Sequence, residues 1–307
     1  MKLYPTTFLF FVLFGVASCS SSAQKPAMPK NFPVFFKEGH RGARGLMPEN
    51  TIIAMQKGIE AGANVIEVDV YTTKDGKVLV AHDPFVNTKF TLTADGKEIP
   101  PKEARKLIFH QMNYEDIRPF DVGSKPYDAF PEQQKVKTYM PLLDELIDSV
   151  EAFTKANNLP PIIYNIELKT SPRYDSLHYN TTPEDMVDAV MEVVKRSNIG
   201  NRFYIQSFDF RPLQYVHKKY PGVVIGFLTG DKTMSLEDNL KKLGFKPHLY
   251  SPEYRLVTKE MAATCKKQGM KLVPWTVNTP EEMKQLIELG VNGIITDYPN
   301  YFQQVGK

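Results

Sequence analysis

Between residues 38 and 83 the chain concentrates groups able to do acid–base and metal chemistry. Glu38-Gly39-His40-Arg41-Gly42 comes first. Pro48-Glu49-Asn50-Thr51, Glu67-Val68-Asp69, Thr73-Lys74-Asp75-Gly76 and His82-Asp83 follow. His40 and His82 each end a short apolar run. Imidazoles titrate near neutral pH, so two of them flanking one site can act as general acid and general base. Arg41 offers a planar fork suited to a phosphate, and Lys169 adds a point charge.

Alternation along the strands assigns the carboxylates. In Val65-Ile66-Glu67-Val68-Asp69-Val70, one face carries Val65, Glu67 and Asp69, and the other carries Ile66, Val68 and Val70. In the run 162–169, Asn165, Glu167 and Lys169 share a face opposite Ile162, Tyr164, Ile166 and Leu168. Carboxylates aimed into an interior are costly unless paired or bound to a metal. Glu67, Asp69 and Glu167 around one point form an all-oxygen site, which suits Mg²⁺ or Ca²⁺ better than Zn²⁺. The competing arrangement is an ionic network in which Arg41 and Lys169 neutralise these acids without a metal.

Positioning such groups requires a regular scaffold, and the pattern supplies one. Apolar runs expected to be strands lie near 36–40, 64–70, 162–169, 203–207, 223–228, 248–250, 271–277 and 293–297. Helical spacing falls near 51–61, 141–157, 183–195, 212–220, 236–243, 258–268 and 280–289, and a last short helix follows Pro299. Thr182-Pro183-Glu184-Asp185 and Thr279-Pro280-Glu281-Glu282 are helix-start signals, with a cap, a proline and acids in the first turn. Eight strand–helix units in this length predict an α/β fold, a parallel (β/α)₈ TIM barrel, whose sites lie at the C-terminal ends of the strands. No glycine-rich phosphate loop follows a strand, which disfavours an open doubly wound sheet. The Asp75-Gly76 turn predicts that 77–81 folds back on the preceding strand. An insertion after the second strand, about 84–139, is expected to cover one mouth and to be too poor in apolar residues for a core of its own.

The ends and the composition set further bounds. The formal net charge of +3 over 307 residues gives no reason to expect nucleic acid. Residues 1–18 read as a secretory signal, with Lys2, an apolar stretch and Val16-Ala17-Ser18 before Cys19. That junction resembles a bacterial lipobox, which implies lipidation of Cys19; an ordinary signal peptide is the alternative. Residues 19–33 read as a flexible tether and 34–307 as the barrel. The expected location is therefore exported and lipid-anchored to a bacterial membrane, at the outer membrane or periplasmic face if the host has two. Cys265, in a helical pattern, is expected to be a buried small apolar residue.

The ordered set of motifs resembles the glycerophosphodiester phosphodiesterase family. His40-Arg41-Gly42, Pro48 to Thr51, Glu67-Val68-Asp69, Thr73 to Gly76 and His82-Asp83 carry the resemblance. Pro141 to Glu145, Asn165 to Lys169, Gln206 to Asp209, Trp275 to Asn278 and Thr296 to Pro299 extend it. It implies metal-dependent hydrolysis of a glycerophosphodiester to glycerol 3-phosphate and an alcohol, with one divalent cation. Glu67, Asp69 and Glu167 are the implied metal ligands, His40 and His82 the acid–base pair, and Arg41 and Lys169 the phosphate contacts. Gln206 is implied near the phosphate, and Trp275 as an apolar wall beside the glycerol or as ordinary core. Glu49 is implied to approach the metal or the glycerol, and Asn50 is read as the cap of the following helix. The alternatives are a phospholipase C- or D-like phosphodiesterase acting on intact lipids, and a non-catalytic ligand-binding lipoprotein.

Overall fold

A computed structural model describes residues 1–2 and 28–307. Residues 3–18 of the signal segment and Cys19 lie outside the described residues. Eight parallel strands run in the order β8-β7-β6-β5-β4-β2-β1-β9, with β3 antiparallel to β2 at the side. They are β1 (Phe36–Gly39), β2 (Val65–Thr72), β3 (Val78–Val80), β4 (Ile163–Leu168), β5 (Phe203–Ser207), β6 (Val224–Thr229), β7 (Leu249–Pro252), β8 (Lys271–Leu272) and β9 (Gly293–Thr296). The ring closes between β8 and β9 through backbone bonds from Asn292 N to Leu272 O (2.8 Å), Ile295 N to Pro274 O (2.9 Å) and Val277 N to Ile295 O (3.0 Å). This is the predicted barrel. β8 is shorter than the expected 271–277 because Pro274 has no N–H to give a ladder.

The helices start where the caps say. Thr182 and Thr279 accept from the backbone N–H three residues on, at 3.1 and 3.3 Å, and open the helices Pro183–Arg196 and Pro280–Leu289. One cap differs from expectation. Thr51, not Asn50, caps the helix Ile52–Glu60 by accepting from Ala54 N. Asn50 stands outside it at φ 57°, in a left-handed conformation that asparagine tolerates.

Two apolar regions hold the barrel. Ile66, Val68, Val70, Tyr164, Ile166 and Leu168 face outward into the layer between strands and helices, as alternation required. Inside, Phe36, Val65, Ile163, Tyr204, Val224, Leu249, Val273 and Ile295 fill the floor. Phe32, within the stretch read as tether, is buried against Phe36 and Tyr204, so the folded part begins before residue 33.

The 84–139 segment buries an apolar cluster, but one it shares with the barrel's edge. Val86, Ile99, Phe109, Ile117 and Val122 pack on Tyr71, Leu79 and Ala81 of the β2–β3 hairpin. Its apolar residues are scattered without period, so only the hairpin's outer face unites them. Among the described residues no helix is long and apolar enough to cross a membrane.

Candidate active site

The C-terminal ends of β1, β2, β4 and β5 converge on a cavity of about 330 Å³. His40, Arg41, Glu67, His82, Glu167, Lys169, Gln206 and Trp275 are among its walls. The register explains the gathering. Asp69 lies beside Glu167, and Glu167 beside Gln206, all on the inward face above the apolar floor.

Glu67, Asp69 and Glu167 are buried, and each offers an oxygen within 4.8 Å of the others. Burial and the neighbouring Asp69 and Glu167 push the Glu67 carboxyl well above its usual range. Burial also raises Glu167, with Lys169 opposing and Asp69 reinforcing. Asp69 is held below its usual range, because Lys169, His82 and Arg41 outweigh its burial.

The competing ionic network is present in part. Lys169 Nζ donates to Glu167 at 2.7 Å and stands 3.3 Å from Asp69 Oδ1; Arg41 Nε lies 3.3 Å from Asp69 Oδ2. It does not satisfy the acids. Glu67 Oε1 and Asp69 Oδ1 are buried without a hydrogen-bond partner. Orphaned carboxylate oxygens aimed at one point fit a hard cation, and the donor set is all oxygen.

The remaining oxygens are braced from the loop after β1. Arg41 N donates to Glu67 Oε2 at 2.6 Å, and Asn50 Nδ2 donates to Asp69 Oδ2 at 2.8 Å. Arg41 Nη1 donates to Glu49 at 2.7 Å. Arg41 itself sits at φ 50°, and a left-handed non-glycine residue costs roughly 1 kcal/mol. The turn is tight because Gly42 lies on the Ile52–Glu60 helix, where an added Cβ would meet Ala54 C at 2.5 Å. Glu49 and Asn50 therefore position the acids and the arginine.

Both histidines are oriented by carboxylates. His40 Nδ1 bonds Asp297 Oδ1 at 2.7 Å, and His82 Nδ1 bonds Asp83 Oδ1 at 3.2 Å. Each ring therefore keeps Nε2 for the cavity. Burial pushes His40 down to about 4, with Asp297 opposing, so its ring is neutral at pH 7. Asp297 is gripped by Arg44 Nε (2.9 Å), Arg44 Nη2 (3.1 Å) and Asn278 Nδ2 (2.7 Å). Arg44 in turn stacks on Phe130, and its carbonyl accepts from Gln133. A line of contacts thus runs from the 84–139 segment to His40.

Sequence reasoning missed Asp297 and Arg44 as site residues. The signal available was a polar residue just past the last strand, in Thr296-Asp297-Tyr298-Pro299. It also missed Glu38, whose two oxygens accept from Asn165 Nδ2 and Tyr204 OH below the triad. Gln206 and Trp275 both line the cavity. Gln206 is buried with Oε1 unpartnered, and Trp275 faces the cavity while Nε1 donates to Ser251 O at 2.9 Å. Cys265 is buried in the Lys259–Gln268 helix, and burial pushes its thiol up to about 12, so it is no nucleophile.

The barrel and the polar cavity at its C-terminal mouth belong to a phosphoric diester hydrolase, as the family match shows. The model of the glycerophosphoryl diester phosphodiesterase family matches residues 40–301, and the chain belongs to that family. A glycerophosphodiester phosphodiesterase of Caldanaerobacter subterraneus subsp. tengcongensis is 31% identical over 260 residues, 85% of this chain and 93% of its own length. A Silicibacter pomeroyi DSS-3 crystal structure assigned as a glycerophosphoryl diester phosphodiesterase is 29% identical, with a TM-score of 0.78. It covers 89% of this chain and 94% of its own. An Oleispira antarctica phosphodiesterase, solved in complex with the product sn-glycerol-3-phosphate, shares the fold at a TM-score of 0.68 and 20% identity. The match covers 87% of this chain and 95% of that one.

Proposed function

We propose that this enzyme hydrolyses glycerophosphodiesters to glycerol 3-phosphate and an alcohol, with one divalent cation, Mg²⁺ or Ca²⁺, held by Glu67, Asp69 and Glu167. The observation that carries this is the pair of oxygens on Glu67 and Asp69 that accept no hydrogen bond, in a cavity flanked by two carboxylate-oriented histidines. Three cations, Arg41, Arg44 and Lys169, face five carboxylates, Glu49, Glu67, Asp69, Glu167 and Asp297. The cavity is short of positive charge before an anionic substrate arrives. A bound divalent cation supplies that charge and polarises a phosphoryl oxygen.

The chain's own residues supply the rest. Arg41 and Lys169 face the phosphate, and Gln206 offers its side-chain amide to it. Trp275 makes the apolar wall beside the glycerol. His40, neutral and fixed through Nδ1, takes the proton of the nucleophile at Nε2 as the new P–O bond forms. His82 returns a proton to the leaving alkoxide as the old P–O bond breaks. His82 alone of the two also borders a second cleft, which Trp275 does not line.

The test is release of glycerol 3-phosphate from glycerophosphocholine with Mg²⁺, with Ca²⁺ and with EDTA. Cation-dependent release that His82→Ala abolishes in a folded protein is expected. Release that survives EDTA, or near-normal turnover by His82→Ala, overturns the mechanism.

We further propose that residues 1–18 are a lipoprotein signal and that Cys19 is lipidated, anchoring an exported enzyme to a bacterial membrane. The support is the Val16-Ala17-Ser18-Cys19 junction. Incorporation of labelled fatty acid that Cys19→Ala abolishes is expected; equal labelling of both forms refutes it.

A further inference from the structure

A second cleft, of about 240 Å³, opens beside the catalytic cavity and shares His82, Glu167, Lys169 and Phe208 with it. Its other walls include Thr170, Ser171, Arg173 and Tyr174, from the turn after β4. The two clefts meet at Lys169, assigned to the phosphate, and at His82, assigned to the leaving group, and two adjoining clefts are the layout a diester requires. The Trp275 side suits the constant glycerol half. The second cleft, more open to solvent, suits the variable alcohol.

Its charges are unequal. Asp175, two residues past Arg173, is committed to Arg211, as is Asp209. Glu167 is committed to Lys169. Arg173 is exposed and has no ion pair among the described residues. The aromatic rings nearby are poorly placed to cage a quaternary ammonium. Tyr174 stacks on Tyr179, and Phe208 meets Lys169 on its face and Trp275 at its edge.

Resting on the activity proposed above, we infer that this cleft receives the alcohol half of the diester, and that Arg173 selects alcohols bearing an anionic group over cationic ones. The anion can be a carboxylate or a second phosphate; the guanidinium recognises both.

The experiment compares kcat/KM of the full chain for four glycerophosphodiesters. The alcohols are serine (carboxylate), a phosphoglycerol (second phosphate), glycerol (neutral) and choline (cation). At low salt the phosphoglycerol diester is expected to exceed the choline diester by about fivefold or more, the size of one partly exposed ion pair. A serine preference over choline without a phosphoglycerol preference would narrow the anion to a carboxylate, and the reverse to a phosphate. Arg173→Gln is expected to bring the ratios to near one, Arg173→Glu to invert them, and Arg173→Lys to keep most of the preference. Ratios that are flat in the wild type, or unmoved by Arg173→Glu, overturn the inference while release itself upholds the activity. No release from any of the four overturns both together.

Discussion

Glu38 and Glu67 are both buried carboxylates inside the same barrel, on neighbouring strands, and they are treated oppositely. Glu38 has both oxygens satisfied, by Asn165 and Tyr204. Around it the floor is closed by Phe36, Val65 and Tyr204. Glu67, one layer up, faces two other carboxylates and keeps one oxygen without a partner. The carboxylate at the floor has both oxygens met, and the carboxylates at the mouth do not. Leaving buried carboxylate oxygens without a hydrogen bond sacrifices stability, and a bound cation would repair that deficit.

Substitutions that exchange the two behaviours test this contrast. The largest effect is expected at the mouth. Glu67→Gln should lower kcat by about 10²–10³ while the cation-free protein unfolds at the same or a higher temperature, because like-charge repulsion is relieved. A large fall in thermal stability of the cation-free variant, read by circular dichroism, would mean that Glu67 is structural. Next, Asp297→Asn should cost on the order of 10²-fold in kcat, since it releases His40 Nδ1. A His40→Ala/Asp297→Asn double variant should be little worse than His40→Ala alone, and additive losses would separate the two residues.

At the floor the expected effects are on stability. Leu249→Ala should cost about 3 kcal/mol in denaturant unfolding, from lost burial and a residual cavity, with kcat nearly intact. The smallest effect is a pH dependence. Burial raises Glu38 from 4.5 to about 7, with Tyr204 and Asn165 opposing. Below 4.5 both the folded and unfolded states hold the proton. Between 4.5 and about 7 only the folded state holds it, so this contribution is lost as pH rises, at about 1.4 kcal/mol per pH unit. Glu38→Gln should remove that slope from the wild-type curve. An unchanged slope would place the titration elsewhere.

The same contrast marks what could be read from sequence. Alternation in Val65 to Val70 and 162–169 placed Glu67, Asp69 and Glu167 inside and Ile66, Val68 and Ile166 outside, because the period of two is intrinsic to a strand. Thr182-Pro183 and Thr279-Pro280 located helix starts for equally local reasons. Asp297 escaped notice because its role depends on a partner 257 residues away, His40. Asn50 reads from sequence as a cap, yet the adjacent Thr51 offers the same chemistry, and only the reach of Asn50 to Asp69 decides between them. The cluster beneath 84–139 was not legible, since its residues acquire a common face only against the β2–β3 hairpin.

The most direct measurement of the central claim is a calorimetric titration of Mg²⁺ and of Ca²⁺ into the full chain and into Glu67→Gln. One cation per chain should bind the wild type, and binding should be lost or greatly weakened in the variant. Equal binding by both proteins, or hydrolysis by a wild type that binds neither ion, would contradict the account of the mouth as a cation site.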